Sequence, residues 1–302
     1  MVLLVTVITF ILLRLIPGNV AVAVLGPSAY RNPAALAQFN AQYGFDKPWF
    51  QQYLLWLGHL LQGNLGYSWT LDQSVASLLS ERLPKTVILV GLSTILALVV
   101  AVPIGLWQAV RRNKAVDYTF TSLSFLFYAA PTFFVGTVLI LVFSVKLGWF
   151  GPEAAQGGTW NDLTDWRDMV LPVTTLALVS IALFSRYMRS SVLDNISEDY
   201  VRTARAKGAS GKRVLWRHVM RNSLIPIATL LGLSIPGILS GALITESVFN
   251  YPGMGLLFYQ SAQRQDYPVM LGFIIVVAIA TVVGSLLADI AYAVLDPRVR
   301  YA

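Results

Sequence analysis

Six apolar stretches alternate with polar ones along the chain, at residues 1–16, 86–109, 118–145, 169–184, 222–245 and 268–295. Each carries so few charges that it suits a hydrocarbon core about 30 Å thick, so the pattern predicts six transmembrane helices and an all-α polytopic fold. Breakers punctuate them. Pro17 and Gly18 stop the first, Pro103 with Gly105 is expected to bend the last third of the second, and Pro131 interrupts the third. Pro172 lies near the start of the fourth, which is expected to run on as a polar helix through Arg186 and Arg189. In the fifth, Gly232, Pro236, Gly237 and Gly241 make it the most closely packable span, with Gly237 and Gly241 at a small-x-x-x-small spacing.

The polar stretches differ in kind. Residues 19–85 form the longest, and Phe50, Tyr53, Leu54 and Leu57 recur there at helical spacing, which predicts amphipathic helices lying on the membrane or capping a partner. Residues 146–168 contain Glu153, Asp162, Asp165 and Asp168, too dispersed for a metal-ligand set and read as an acidic solvated loop. Residues 246–267 read as an external re-entry with a PGMG turn at 252–255. Between the fourth and fifth spans lies a basic island, 197–222.

The island predicts two short helices around a glycine hinge. Ser197 can serve as N-cap, Glu198 and Asp199 suit the positive end of the helix dipole, and Arg202, Arg205 and Lys207 suit the negative end. Gly208 can take the left-handed conformation that ends a helix, and Ser210 can cap a second one near Gly211. Val201, Ala204 and Gly208 then fall on one narrow, small, apolar face with basic flanks, which suits docking into a groove on another protein. The plainer reading is a cytoplasmic loop that is basic only because inside loops are.

Composition sharpens the picture. The 302 residues are 56% hydrophobic and 12% charged, and the net charge of +7 sits in loops beside the spans, so topology accounts for it without nucleic acid. With the island inside, the inner segments hold 14 of the 22 basic residues: three at 111–114, nine from Arg186 to Arg221, and two in the tail. Both termini are then cytoplasmic. The first apolar stretch lacks the basic start and small-residue cleavage site of a secretory signal and reads as a helix anchored in the membrane, with Arg14 reaching for the interface. Cysteine is absent, which excludes disulfides and thiol chemistry.

Catalytic constellations are missing. His59 and His218 are the only histidines, and no HExxH, GxSxG, GxGD or GxxxxGK[ST] stretch occurs, so neither a protease nor a self-contained ATPase is expected. Asp289 is the one acid inside the sixth stretch, either a functional group or a partner for a neighbouring helix. A secondary transporter or channel is the rival class, but it would be expected to bury several ionisable groups or to show two related halves.

A family resemblance adds to this. Ala204, Gly208 and Pro226, within YVRTARAKG and RHVMRNSLIP, resemble the EAA loop of ABC importer permeases in its peptide-permease form, with Arg202 and Thr203 standing where the general motif has Glu and Ala, and Arg221 where it often has Pro. LRLIPGN at 13–19, YGFDKPWFQQYLLWL at 43–57, GNLGYSW at 63–69, SLLSERLPKT at 77–86, and TESVF, YPGMG and DYPV between 245 and 269 resemble the same dipeptide and oligopeptide (peptide/nickel) group. The resemblance implies a single permease domain over 1–302 with the ABC importer type I fold, moving dipeptides or short oligopeptides across the cytoplasmic membrane. It implies a second homologous permease, two cytoplasmic ATPase subunits (or one fused ATPase) that bind ATP and Mg, and an external substrate-binding protein, with no cofactor in this chain. Tyr200, Val201, Ala204, Arg205, Lys207 and Gly208 would then couple to the ATPase. Gly232, Pro236, Gly237 and Gly241 would face the pathway or the partner helix, and Glu246, Pro252, Gly253 and Gly255 would meet the binding protein.

Overall fold

The structure, a computed structural model, describes residues 2–16, 20–26, 29, 31–158, 164–240 and 242–295, the side chains at 23, 233, 235–240 and 287–295 lying outside the description. Its elements are helices, and the only strand-like pairing among the described residues is one isolated bridge between Tyr67 and Ser74.

Two long helices form the frame. Helix α5, Val75–Val110, runs 36 residues, about 54 Å at 1.5 Å per residue, and so overshoots a hydrocarbon core of about 30 Å. Its first turns come from residues that the hydropathy pattern assigns to the external segment. Ser74 starts it, its Oγ accepting from the Ser77 amide at 3.2 Å, and the helix continues through Pro84 and Pro103. The bend expected at Pro103 and Gly105 does not divide this helix.

What Gly105 provides is proximity. A β-carbon there would lie 2.6 Å from the Ser185 carbonyl oxygen and from the Met188 side chain, so α5 meets the second long helix almost backbone to backbone. That second helix, α8, is Trp166–Asn195. Ala97, Ala101 and Ala109 extend the same face of α5 at four-residue steps and are buried among Ala177, Phe184, Met188 and Val192 of α8. Small residues at this spacing are how helices gain packing contact in lipid, where no hydrophobic drive separates them from the solvent. The polar extension of α8 through Arg186 and Arg189 is helical, as the pattern expects.

The third apolar stretch is broken outright. Helix α6, Ala115–Ala129, and helix α7, Thr132–Leu139, which continues π-helically through Ile140–Lys146, meet at 105°. Ala130 is extended, at φ −72 and ψ 130, because the ring of Pro131 disfavours the α conformation in the residue before it.

Among the described residues, three helices are long and apolar enough to cross a membrane (α5, α8, and residues 267–286 of α14, Tyr267–Leu295), or four if the bent pair counts as one span. This falls short of six. Helix α1, Val2–Leu15, has 14 residues, about 21 Å, and helix α11, Ile225–Ser240, has 16, about 24 Å. Asp289 lies within α14, with its side chain outside the description, as are Gly241 and the tail from 296.

The remaining helices cap the two ends. At the end where α5 begins are α2 (Val20–Leu25), α3 (Pro33–Tyr43) and α4 (Trp49–Leu61), then α12 (Leu243–Val248) and α13 (Met254–Gln263) before α14. At the end where α5 finishes are α9 (Asp199–Ala206) and α10, residues 211–223, whose Val214–Val219 stretch is π-helical. Helix α14 packs on α11 and α1.

Candidate functional site

The island folds by local rules. Ser197 does not cap α9: its Oγ donates to the Asp194 carbonyl at 2.9 Å and closes α8, while the extended residue before α9 is Glu198. Gly208 sits at φ +80 and donates its amide to the Arg205 carbonyl, and Ala209 donates to the Ala204 carbonyl, the left-handed ending that satisfies last-turn acceptors. Nothing lies within 4 Å of where a β-carbon would be, so the backbone angle alone requires glycine here. Ser210 then accepts from the Arg213 amide at 3.4 Å and opens α10.

The face formed by Val201 and Ala204 is turned the other way from the docking expectation. Both are buried within this chain, against Leu106 and Ala109 of α5, Met188 and Val192 of α8, and Val214, Val219 and Ile227. A small apolar stripe buries itself on whichever apolar surface is nearest, and here the chain's own two long helices supply one. Tyr200 is half-buried and its hydroxyl donates to Asn195 Oδ1 at 2.7 Å. What remains exposed on α9 is Asp199, Arg202, Thr203, Arg205 and Ala206, followed by Lys207 and Gly208. Beside this ridge a cleft of about 550 Å³ is lined by Thr203, Lys207, Arg213, Arg217 and His218 among others. The Arg202–Asp199 pair, 3.6 Å apart and exposed, contributes little.

A partly buried ion pair braces the same end. Asp117, in the first turn of α6, receives Arg189 bidentately, at 2.6 and 2.8 Å, and the Asn113 amide at 3.0 Å. The paired fork locks α6 to α8 just above the island.

At the opposite end the chemistry inverts. Glu246 is fully buried, and its carboxylate accepts from Thr86 Oγ1 at 2.8 Å, from the Leu256 amide at 3.0 Å and from the Ala242 amide at 3.4 Å. Thr86 in turn accepts from the Met254 amide at 2.8 Å, so α5 is stitched to the amino end of α13, where a negative charge is favoured. Burial pushes the Glu246 carboxyl above the usual carboxylate range, and its hydrogen bonds to Leu256, Thr86, Gly255 and Ala242 pull the other way. Tyr251, also buried, donates to the Lys85 carbonyl at 2.8 Å, and Arg82 donates to the Pro252 carbonyl at 3.2 Å. Gly253 and Gly255 are buried, and a β-carbon on Gly253 would lie 2.5 Å from the Glu246 carboxylate. Glu246, Gly253 and Gly255 are therefore no surface for a binding protein, and Pro252 is only half-exposed. Twenty residues on, buried Asp266 accepts from Ser68 Oγ, Thr70 Oγ1 and the Thr70 amide at 2.5, 2.7 and 3.3 Å, pinning the 63–74 loop to the start of α14.

Among the described residues no group of three or more His, Cys, Asp or Glu side chains could hold a metal ion. Comparison with known proteins then decides the class. Residues 101–301 match the family described as binding-protein-dependent transport system inner membrane component, and residues 1–90 match its N-terminal counterpart. The chain belongs to that family.

This permease is 40% identical over 300 residues to the oligopeptide transport system permease protein AppB of Bacillus subtilis (strain 168), covering 98% of this chain and 94% of that protein. It is 35% identical over 319 residues to the di/tripeptide transport system permease protein DppB of Pseudomonas aeruginosa (strain UCBPP-PA14), covering 98% and 94%. It is 34% identical over 299 residues to the glutathione transport system permease protein GsiC of Salmonella choleraesuis (strain SC-B67), covering 99% and 94%. Its fold is similar to that of a solved inward-facing MetNI methionine ABC transporter chain, at TM-score 0.54 and 16% identity, covering 72% of this chain and 97% of that one. The permease is thus a multi-pass inner-membrane subunit of an ABC importer, all-α, of the type I permease fold.

Of the residues singled out from its sequence, the structure gathers Tyr200 through Gly208 into one compact element. Gly232 lies half-buried in α11, Pro236 and Gly237 lie in the same helix with their side chains outside the description, and Gly241 lies outside it altogether. The alanine ladder of α5, Asp117, and the Thr86–Glu246 pair go unmarked in a reading of the sequence. For the first, Ala97, Ala101, Gly105 and Ala109 do stand at a readable four-residue period.

Proposed function

We propose that this permease is one transmembrane half of an ATP-driven importer of peptides, dipeptides or short oligopeptides. Six spans, two of them short, complete its half of a pathway shared with a second, homologous permease. Two ATPase subunits, which bind ATP and Mg, dock at residues 197–222, and an external binding protein delivers substrate to the outer face. The observation that carries the coupling role is the way α9 is mounted. Val201 and Ala204 root it on α5 and α8, the two helices joined by the alanine ladder, while Arg205 and Lys207 remain free to meet an acidic partner surface. Displacement of the loop by ATPase closure would therefore be passed to both long helices together, with Gly208 setting the angle at which the loop turns back toward α11. The peptide assignment is supported by relatives that carry oligopeptide, di/tripeptide and glutathione in their names.

Reconstitution tests this. The chain, tagged and extracted gently from its native membrane, should bring a second permease and ATPase subunits, and the complex in liposomes should accumulate labelled dipeptide or oligopeptide only with ATP and the binding protein. A chain that purifies alone and moves solute down an ion gradient would instead make it a secondary transporter.

A further inference from the structure

Helix α6 is held to the frame differently from the way the frame holds itself. Helices α5 and α8 meet along the alanine ladder, whereas the only buried residues of α6 are Asp117 and Ser124, both polar. Its Tyr118, Phe125, Leu126 and Tyr128 side chains are exposed. Beneath it lies a cavity of about 160 Å³, between Phe120, Leu123 and Phe127 of α6, Ile104 of α5, and Leu178 and Ile181 of α8. Over part of its length α6 therefore stands off the two long helices.

What attaches it is a polar seam. Gln108 of α5 donates its Nε2 to Thr121 Oγ1 at 3.2 Å, and the hydroxyls of Ser124 and Ser185 are 3.4 Å apart. Both contacts are long and neutral, so the Arg189 fork on Asp117, at 2.6 and 2.8 Å, is the strongest of the set. The helix is also jointed at each end. It follows a turn in which Asn113 is left-handed, at φ +61, and it ends at the extended Ala130 before the 105° break.

The other side of the seam leads to the island. Arg189 follows Met188, and Met188 with Val192 is the part that α8 contributes to the seat under Val201 and Ala204. Ala109 of α5 belongs to the same seat, and no described residue of α6 does. Movement of the island can thus reach α6 only by way of α5 and α8. Asp117 collects both routes, taking Arg189 from α8 and the Asn113 amide from the turn that follows α5. A charged fork fixes one register between two helices, whereas apolar contact lets them slide.

We infer that Asp117 and Arg189 are positioning residues for transport: through this pair a displacement of the island turns α6 about its two joints, and the cavity beneath is the room into which it turns. The inference rests on the reading of the island as the ATPase seat.

The test uses the complete complex in liposomes, with labelled peptide, ATP and the binding protein. Removing Arg189 alone strands a buried carboxylate and threatens folding. The deciding variant is therefore Asp117→Asn with Arg189→Met, which leaves no buried charge and keeps an acceptor for the Asn113 amide. It should match the parent in melting temperature and in retention of the ATPase, while peptide moved per ATP falls by about tenfold. Arg189→Lys, which keeps one charged contact, should fall between them. Spin labels at Ile95→Cys on α5 and Leu126→Cys on α6, both exposed positions in a chain without cysteine, read the movement itself. Their separation should change by about 2 Å on ATP binding in the parent and stay fixed in the double variant. A double variant that moves as much peptide per ATP as the parent, or whose labels shift as the parent's do, overturns the inference alone. Loss of transport in step with a lower melting temperature overturns it in favour of a structural brace. A parent complex that retains no ATPase overturns the reading beneath it as well.

Discussion

The two ends of this permease are held by opposite chemistries. At the end that carries the island, α9 is fixed by Val201 and Ala204 in an apolar seat and leaves its charges in solvent; at the opposite end, α12 and α13 are fixed by a buried carboxylate whose partners come from α5 and from backbone amides. Apolar contact is non-directional and tolerates small sliding, whereas a fully bonded buried carboxylate admits one geometry. The end that carries the island is therefore mounted to tolerate displacement, and the opposite end to keep one geometry.

The largest effect expected on breaking this contrast is at Glu246. Replacing it with Ala strands the Thr86 hydroxyl and the amides at the start of α13, at about 1–3 kcal/mol for each group left bare. Glu246→Ala should lower the melting temperature of the purified chain sharply, with Glu246→Gln falling between it and the parent; equal melting of all three would show that the clamp carries no load. Next comes Ala204→Trp, which forces an indole into the seat shared with Leu106 and Met188. Overpacking of this kind costs about 1–3 kcal/mol, so the variant should lose membrane abundance and melt earlier, not merely release its ATPase. Normal abundance with lost ATPase would return Ala204 to the outward face.

Gly208→Val comes third. The space is open, so the penalty is the left-handed angle alone, about 1–2 kcal/mol. Peptide uptake per ATP hydrolysed should fall while the chain remains folded; unchanged stoichiometry in liposomes would count against the hinge. The smallest change in stability belongs to Arg205→Ala, within about 0.5 kcal/mol on an exposed face. It should nevertheless weaken retention of the ATPase at raised salt, and retention identical to the parent at every salt concentration would remove Arg205 from the interface.

Much of the island end was legible in the sequence because its signals are local. Gly208 and Ser210 announce a helix stop and a cap within three residues, and the polar extension of α8 follows from an uninterrupted helical run. The direction of the Val201–Ala204 stripe was not, since a small apolar face reads alike whether it seats on its own chain or on another. The opposite end was opaque for a different reason. Thr86 and Glu246 are 160 positions apart, and nothing near TESVF reveals that its glutamate lies under a glycine turn. The hydropathy pattern began the second span only at residue 86, although Ser74 had already begun α5. The interruption at Pro131 was legible, its 105° bend was not, and the count of six spans rested on apolar composition, which does not register the shortness of α1 and α11.

The alanine ladder of α5 has a bearing on ancestry. One residue gained or lost between Ala97 and Ala109 would rotate every later rung by about 100° and carry Ala109 off α8. Lineages descending from a common permease can therefore lengthen or shorten freely in the loops but not within this stretch. Insertions and deletions among homologues should gather at residues 19–74 and 147–165, and leave the interval from 97 to 109 at one fixed length.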